Sequence, residues 1–226
     1  LIVGGTGFIG YHLAKKCLSK GWRVTSISSN PPQKKRYLSL VKYIIADISN
    51  KKILKKKIKK NFKYIVNLGG YVDHSDTKKT YRTHFIGCKN IAEICRNKTP
   101  TRFVQMGSSS EYGTTQSPQK ETFKCKPKSI YGKSKLSSSL YLMRMYKNKN
   151  FPAVVLRLYQ SYGPKQDLNR FIPIVINGCL KNIKFGCSEG KQYRDFLHVD
   201  DVVQAITNSL KRKAAIGQII NIGSGN

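Results

Sequence analysis

The sequence predicts an α/β protein: a doubly wound parallel sheet followed by a smaller C-terminal lobe. Three observations predict it. Short apolar runs alternate with amphipathic stretches at the spacing of strand–helix–strand units. The runs "YIVNL", "FVQM" and "AVVLRL" are nearly all apolar, as strands buried on both faces are. The first run, "LIV", passes directly into the glycine-rich "GGTGFIG" and then into a helical pattern.

Taken in order, strands are expected at 1–3, 23–28, 43–46, 64–68, 102–106 and 153–158. Helices are expected near 8–20, 51–60, 77–97, 129–149, 169–180 and 200–212. The first helix carries Phe8, Ile9, Leu13 and Leu18 on one stripe. In "KKILKKKIKK" (51–60), Ile53, Leu54 and Ile58 form the buried stripe and the lysines the solvated face. No internal repeat interrupts the alternation. It loosens beyond Gly163. Residues 1–162 are therefore read as one domain and 163–226 as the start of a smaller lobe, with strand and helix elements returning. The chain lacks an initiating Met and closes on a strand and loop, "NIGSGN". The expectation is a piece trimmed at both ends, with the rest of that lobe following Asn226.

Composition narrows the function. The chain has 226 residues, 39% of them hydrophobic, and a net charge of +31. No apolar run is long enough to span a bilayer, and the N-terminal stretch has neither the basic region nor the cleavage site of a signal peptide. Neither a membrane nor an exported location is expected. The charge raises the possibility of a nucleic-acid partner. However, the lysines are scattered along the chain and lie on solvated helix faces, so no specific nucleic-acid binding is expected. Such a surface would still attract an anionic small molecule. The six cysteines (17, 88, 95, 125, 179, 187) contain no C-x-x-C pair and have no histidine at metal spacing. They are read as reduced thiols of a cytoplasmic protein. His74 lies between two aspartates in "YVDHSD", but one imidazole beside two loop acids does not make a metal site, and no metal is expected.

The glycines are the first functional signal. Gly5, Gly7 and Gly10 fit G-x-G-x-x-G, and Gly4, Gly7 and Gly10 fit G-x-x-G-x-x-G. The early glycines permit a tight turn and close approach of backbone to a pyrophosphate. Gly10 allows the helix to pack on the strand. The helix N-terminus offers free N–H groups and a positive dipole to phosphate. A strand before the motif, an amphipathic helix after it and a second strand beyond give the context the motif needs. The sheet is thus Rossmann-like, with a dinucleotide site. An acid at the end of the second strand would hold the ribose 2′-OH of NAD. Ser28 stands there instead, followed by Ser29 and Asn30, with Lys34, Lys35 and Arg36 within loop reach. NAD and NADP both fit, with a lean toward NADP.

Tyr131 and Lys135 in "YGKSK" are four residues apart, so both side chains lie on one face of a helix. A phenol with a reference pKa of about 10 is a poor base at neutral pH, and a nearby ammonium favours its anion. Such a pair can take a proton from a hydroxyl while hydride leaves the carbon. Spacing alone is weak: in a chain with 13 tyrosines and 32 lysines chance gives about two such pairs, and the chain has two. Tyr11 and Lys15, the other pair, fall on the first helix and are read as structural. Tyr131 has better company. "VQMGSSSEYG" runs from a buried strand into serines, placing Ser108, Ser109 and Ser110 at a strand end, where the active sites of such sheets gather.

With these motifs in sequence order, together with "ADIS", "NLGG", "LRLYQSYGP" and "RDFLHVDDV", the chain resembles the extended short-chain dehydrogenase/reductase family, and within it the NAD-dependent epimerase/dehydratase group acting on nucleotide sugars. The resemblance runs essentially end to end. It implies a catalytic triad of Ser108, Tyr131 and Lys135. It implies a cofactor lined by Gly4, Gly7, Phe8, Ile9, Gly10, Ser28, Asp47, Ile48, Leu68 and Gly69, with Tyr131 and Lys135 at its nicotinamide end. Asp47 would lie near the adenine. Ser109, Ser110, Gln160 and Arg194 would face the substrate, Arg194 on its diphosphate. Asp195, Asp200 and Asp201 are read as structural. A homodimer through the helices near 77–97 and 129–149 is also implied.

The departures select among activities. Dehydratases of the group carry an Asp-Glu pair after the triad hydroxyl. Here those places hold Ser109 and Ser110, with Glu111 one position late, which argues against 4,6-dehydration. Gln160 and His84 stand where the group often has Asn, and either reshapes the sugar pocket; His84 is read as a satisfied helix histidine rather than a base. The function expected is a nucleotide-sugar epimerase or a 4-keto-sugar reductase acting at a hexose carbon, C4. The alternatives are a nucleotide-sugar 4,6-dehydratase and a non-catalytic dinucleotide-binding sensor.

Overall fold

A computed structural model describes residues 1–225. Its elements follow the expected alternation: β1 (Ile2–Val3), α1 (Phe8–Ser19), β2 (Val24–Ser28), β3 (Val41–Ile45), α2 (Lys51–Lys57), β4 (Tyr64–Asn67), α3 (Thr77–Tyr81), α4 (Gly87–Arg96), β5 (Arg102–Ser108), α5 (Ile130–Lys149), β6 (Ala153–Leu158), β7 (Gln160–Tyr162), α6 (Phe171–Lys181), β8 (Phe196–His198), α7 (Val199–Lys211) and β9 (Ile219–Ile222). Among the described residues, seven strands form one sheet in the order β3-β2-β1-β4-β5-β6-β9. Every neighbouring pair in it is parallel. Strands β7 and β8 pair separately, also parallel.

Two apolar layers cover the sheet because successive strand residues point to opposite faces. Val3, Ile27, Ile65, Phe103 and Val155 pack with Leu54, Ile91 and Leu142, so α2, α4 and α5 lie on one face. Ile2, Val24, Val66, Val104 and Leu156 pack with Leu13, Val202 and Ile206, which puts α1 and α7 on the other. Strand β9 extends the sheet beyond β6, and α7 belongs to its second layer. The segment after Gly163 therefore feeds the main sheet as well as the small β7–β8 ribbon. Strand order reverses between β1 and β4, and the crevice at their C-terminal ends is the ligand position in such sheets.

The helix expected over 77–97 is one path with a wide π turn, Arg82–Ile86, between α3 and α4. A π turn inserts an extra residue and disturbs the regular ladder of hydrogen bonds. The Ser138 hydroxyl of α5 donates to the carbonyl of His84 in that turn, at 2.9 Å. Helix α2 is shorter than its apolar spacing predicts. It stops at Lys57, and Ile58 leaves helical angles (φ −89, ψ 74) while staying buried.

A buried ion pair fixes the end of β5. Oε2 of Glu111 accepts from Arg157 Nε of β6 at 3.0 Å and from the Ser139 hydroxyl of α5 at 2.9 Å. Its Oε1 accepts from the backbone N–H of Ser108 at 3.0 Å. Both charged side chains are almost wholly buried. Removing one partner of such a pair strands the other charge without compensation. Glu111→Ala is expected to lower unfolding free energy by about 3–5 kcal/mol, read as a reduced urea midpoint. An unchanged midpoint would remove this pair as a structural determinant.

Candidate active site

The crevice begins at the glycine turn. Gly4 has φ +78, a left-handed value, and a Cβ there would lie 3.0 Å from the carbonyl carbon and oxygen of Leu68. Only glycine lets the β1 end and the β4 end approach so closely. A Cβ on Gly10 would meet the Gly4 oxygen at 2.3 Å, so α1 starts directly against the turn. Gly7 is the N-cap of α1 and provides no side-chain cap, and no acid occupies the first turn. The first N–H groups of a 12-residue helix are thus left for a ligand. A bare, positively polarised helix end behind a turn of three glycines and one threonine suits a diphosphate. Phe8 and Ile9 begin that helix, half-buried.

Other residues expected at the cofactor take several positions. Ser28 ends β2, buried, and its hydroxyl accepts from Thr6 N–H at 3.4 Å. Asp47 is exposed, and its carboxylate accepts from the N–H and hydroxyl of Ser49, both at 2.8 Å. Ile48 is buried, its Cδ1 packed against the Cα positions of Gly69 and Gly87. Leu68 offers its backbone to Gly4. Arg36 is withdrawn from the cations that carried the lean toward NADP. Its guanidinium is buried and donates to Lys165 O at 3.1 and 2.7 Å and to Asp167 Oδ1 at 2.7 Å. Lys35 Nζ also lies 3.9 Å from Asp167.

At the other end of the crevice, Lys135 is buried and its Nζ donates to Met106 O at 2.8 Å. The same Nζ is 5.7 Å from the centroid of the Tyr131 ring. Ser108 is the last residue of β5, two residues beyond Met106, and its hydroxyl accepts from Ser110 N–H at 3.2 Å. A Cβ on Gly132 would lie 2.4 Å from Ser110 O, so the first turn of α5 rests on the serine turn. The three residues of the expected triad are thus carried by the end of β5 and the start of α5. Ser110 is exposed and Ser109 half-buried, whereas Glu111 points inward to Arg157. Gln160 and Arg194 are both exposed at the β7–β8 ribbon, where Gln160 N–H donates to the carbonyl of Asp195, the residue after Arg194. The Asp195 carboxylate accepts from the N–H groups of Ser224 and Gly225. Asp200 and Asp201 fall in the first turn of α7.

Two histidines join this group. His74 stacks on the Tyr131 ring, with centroids 4.3 Å apart and planes at 16°. His84 meets the same ring edge-on at 5.0 Å. His84 is buried, its Nε2 lies 3.2 Å from Tyr71 N and 3.1 Å from Tyr71 O, and its Nδ1 has no partner among the described residues. The expectation of a fully satisfied helix histidine thus holds for one nitrogen only. Burial, and then the Lys135 ammonium, push its pKa down to about 3. Burial also lowers His74; the Tyr71 backbone opposes this, and the Arg170 and Lys135 charges add to it. The sequence signals for this pair were the departure from Asn at 84 and a lone histidine in the loop after "NLGG". Neither states that the two rings converge.

The fold and this crevice define a class: a Rossmann-like α/β protein with a glycine turn at the switch point of its sheet and a tyrosine–lysine pair beside the end of β5. A family model described as the NAD dependent epimerase/dehydratase family matches residues 1–223, and the chain belongs to that family. Among curated relatives it is 28% identical over 257 residues to a dTDP-D-glucose 4,6-dehydratase of Dictyostelium discoideum, covering 99% of this chain and 58% of that protein. It is 29% identical over 238 residues to a putative UDP-glucose 4-epimerase of Methanocaldococcus jannaschii, covering 100% and 76%. The structure of a dTDP-glucose 4,6-dehydratase from Bacillus anthracis in complex with NAD superposes with a TM-score of 0.89 at 25% identity, covering 100% of this chain and 75% of that one. The chain therefore spans little more than half the length of the first relative and about three quarters of the other two.

The buried neutral imidazole has a consequence for stability. His84 titrates near its ordinary 6.5 when unfolded and near 3 when folded, so the unfolded chain binds the proton first. Stability present above pH 6.5 is then lost as pH falls toward 3, by at most about 1.4 kcal/mol per pH unit. Urea unfolding at a series of pH values should show this acid-side slope in the native protein and a shallower one in His84→Asn. Equal slopes would contradict it.

Proposed function

We propose that this chain carries the cofactor half and the reaction centre of a nucleotide-sugar epimerase or 4-keto-sugar reductase, acting at C4 of a hexose with NAD. The observation that carries the reading is Tyr131 beside Lys135, whose ammonium is anchored to Met106 O under the end of β5. The uncapped start of α1 and the turn at Gly4 would hold the diphosphate of the cofactor, Ser28 would face its adenosine ribose, and Lys135 its nicotinamide ribose. Bound there, NAD would supply reversible hydride transfer, as acceptor then donor in an epimerase and as NADH, the donor only, in a reductase. Tyr131 takes the proton of the C4 hydroxyl as that carbon is oxidised, and Ser108 hydrogen-bonds the same oxygen. In an epimerase the 4-keto sugar turns over within the site, and Tyr131 then gives the proton back to the oxygen on the other face. In a reductase only this second half occurs. With Arg36 and Lys35 both drawn to Asp167, the case for NADP weakens, and NAD is favoured.

The inward turn of Glu111 supports this reading over 4,6-dehydration. Its carboxylate is used by Arg157, Ser139 and Ser108, and Ser109 and Ser110 offer no acid or base of comparable strength at the serine turn. A cytoplasmic homodimer is part of the same reading. Tyr81, Phe85 and Tyr141 form a run of ring contacts on α3, the π turn and α5, and Tyr81 and the neighbouring Leu140 are exposed, an apolar face that a second copy would cover.

Tyr131→Phe is expected to lower kcat by about 10²–10⁴-fold while NAD binding, followed by calorimetry, is retained. Incubation with a panel of nucleotide sugars, followed at 340 nm, separates the two chemistries. Net consumption of reduced cofactor marks a reductase, and a changed sugar without it marks an epimerase. Full turnover by Tyr131→Phe would remove the proposed acid–base residue.

A further inference from the structure

We propose that His74 and His84 form a clamp that sets the orientation of the Tyr131 ring, with His84 as the fixed post and His74 as the cover. The proposal rests on the reading of Tyr131 as the acid–base residue. It names two positioning residues that act through that ring.

The post is built from the π turn. His84 lies in that turn, and its imidazole is buried against the loop that follows β4. Its Nε2 lies within hydrogen-bond distance of both backbone groups of Tyr71. Gly70 makes room for it: a Cβ at that position would lie 2.5 Å from His84 Cε1. The loop is thus fastened at residues 70 and 71, immediately before it carries His74 over the crevice. The post keeps one protonation state, because burial and Lys135 hold the imidazole neutral through the physiological range.

The cover lies at the far side of the same loop. The His74 ring is nearly parallel to the Tyr131 ring at 4.3 Å, and the two imidazoles also touch each other edge-on at 5.9 Å. Tyr131 is therefore stacked on one face against His74 and packed T-shaped with His84, with Lys135 Nζ 5.7 Å from its centroid. A phenol packed against two rings can turn only with difficulty about its own axis or away from the crevice. Proton transfer needs the hydroxyl held within hydrogen-bond reach of the reacting oxygen, and small displacements of a reacting group are costly in rate. Phenylalanine at 74 can reproduce the stack, whereas alanine removes it.

The test combines kinetics with a readout of ring position. The full chain is labelled with 3-fluorotyrosine, and the resonance of residue 131 is identified by its loss in Tyr131→Phe. A stacked imidazole displaces that resonance through its ring current. His74→Ala is expected to move the resonance and to lower kcat by about 10- to 100-fold, with KM for the nucleotide sugar within about twofold of the native value. His74→Phe should keep the resonance displaced and recover at least half of kcat. An unmoved resonance in His74→Ala, or undiminished kcat, overturns the clamp. A rise in KM with kcat unchanged also overturns it, since that marks His74 as a simple substrate contact. Should Tyr131→Phe itself turn over normally, the functional reading fails, and the fluorine resonance still decides whether His74 holds the ring.

Discussion

The buried pair of Glu111 and Arg157 is the constraint on which the site depends. A single carboxylate binds β6 through Arg157, α5 through Ser139 and the end of β5 through the N–H of Ser108. These are the elements that carry the proposed triad. Tyr131 and Lys135 are on α5, Ser108 ends β5, and Lys135 is anchored by a β5 carbonyl. Desolvating two charges is costly, and their attraction offsets that cost only with good geometry and further hydrogen bonds. Glu111 has both. The same contacts turn its carboxylate away from the crevice. One interaction thereby sets the relative positions of strand and helix and leaves the serine turn without an acid.

The glycine-turn end of the crevice is organised by the absence of side chains at Gly4 and Gly10. Gly4 and Gly10 bring β1, the end of β4 and α1 together at distances that any larger residue would forbid. The helix start that results is neither capped nor neutralised. At the Tyr131 end the reverse holds: Lys135, Tyr131, His74 and His84 crowd one volume, and burial first, then the Lys135 ammonium, depress the protonation of both imidazoles. The crevice thus runs from a bare backbone cradle to a group of titratable rings.

Much of this was legible in the sequence. Buried parallel strands announce themselves as nearly unbroken apolar runs, and β4, β5 and β6 lie where those runs fall. The glycine turn was legible because its spacing and flanking elements act together. What escaped depends on contacts between distant parts of the chain. The π turn at 82–86 has no local sequence signature; its His84 carbonyl is met by Ser138, 54 residues away. Arg36 read as one cation in a basic loop, and nothing nearby shows that Asp167, 131 residues on, claims it. His74 and His84 were each noticed, but their convergence on Tyr131 is set by how the loop after β4 folds back over α5.

The attachment of Arg36 has a mechanical consequence. The segment after β7 is moored to α1 and to the loop after β2 before α6 begins. Lys165 Nζ donates to Tyr11 of α1, and His12 lies within hydrogen-bond distance of Pro164 O, so the mooring has three lines. If α6 swings to admit a substrate, the pivot has to lie beyond Asp167. Residues up to that point would travel with the sheet, as the fixed leaf of a hinge.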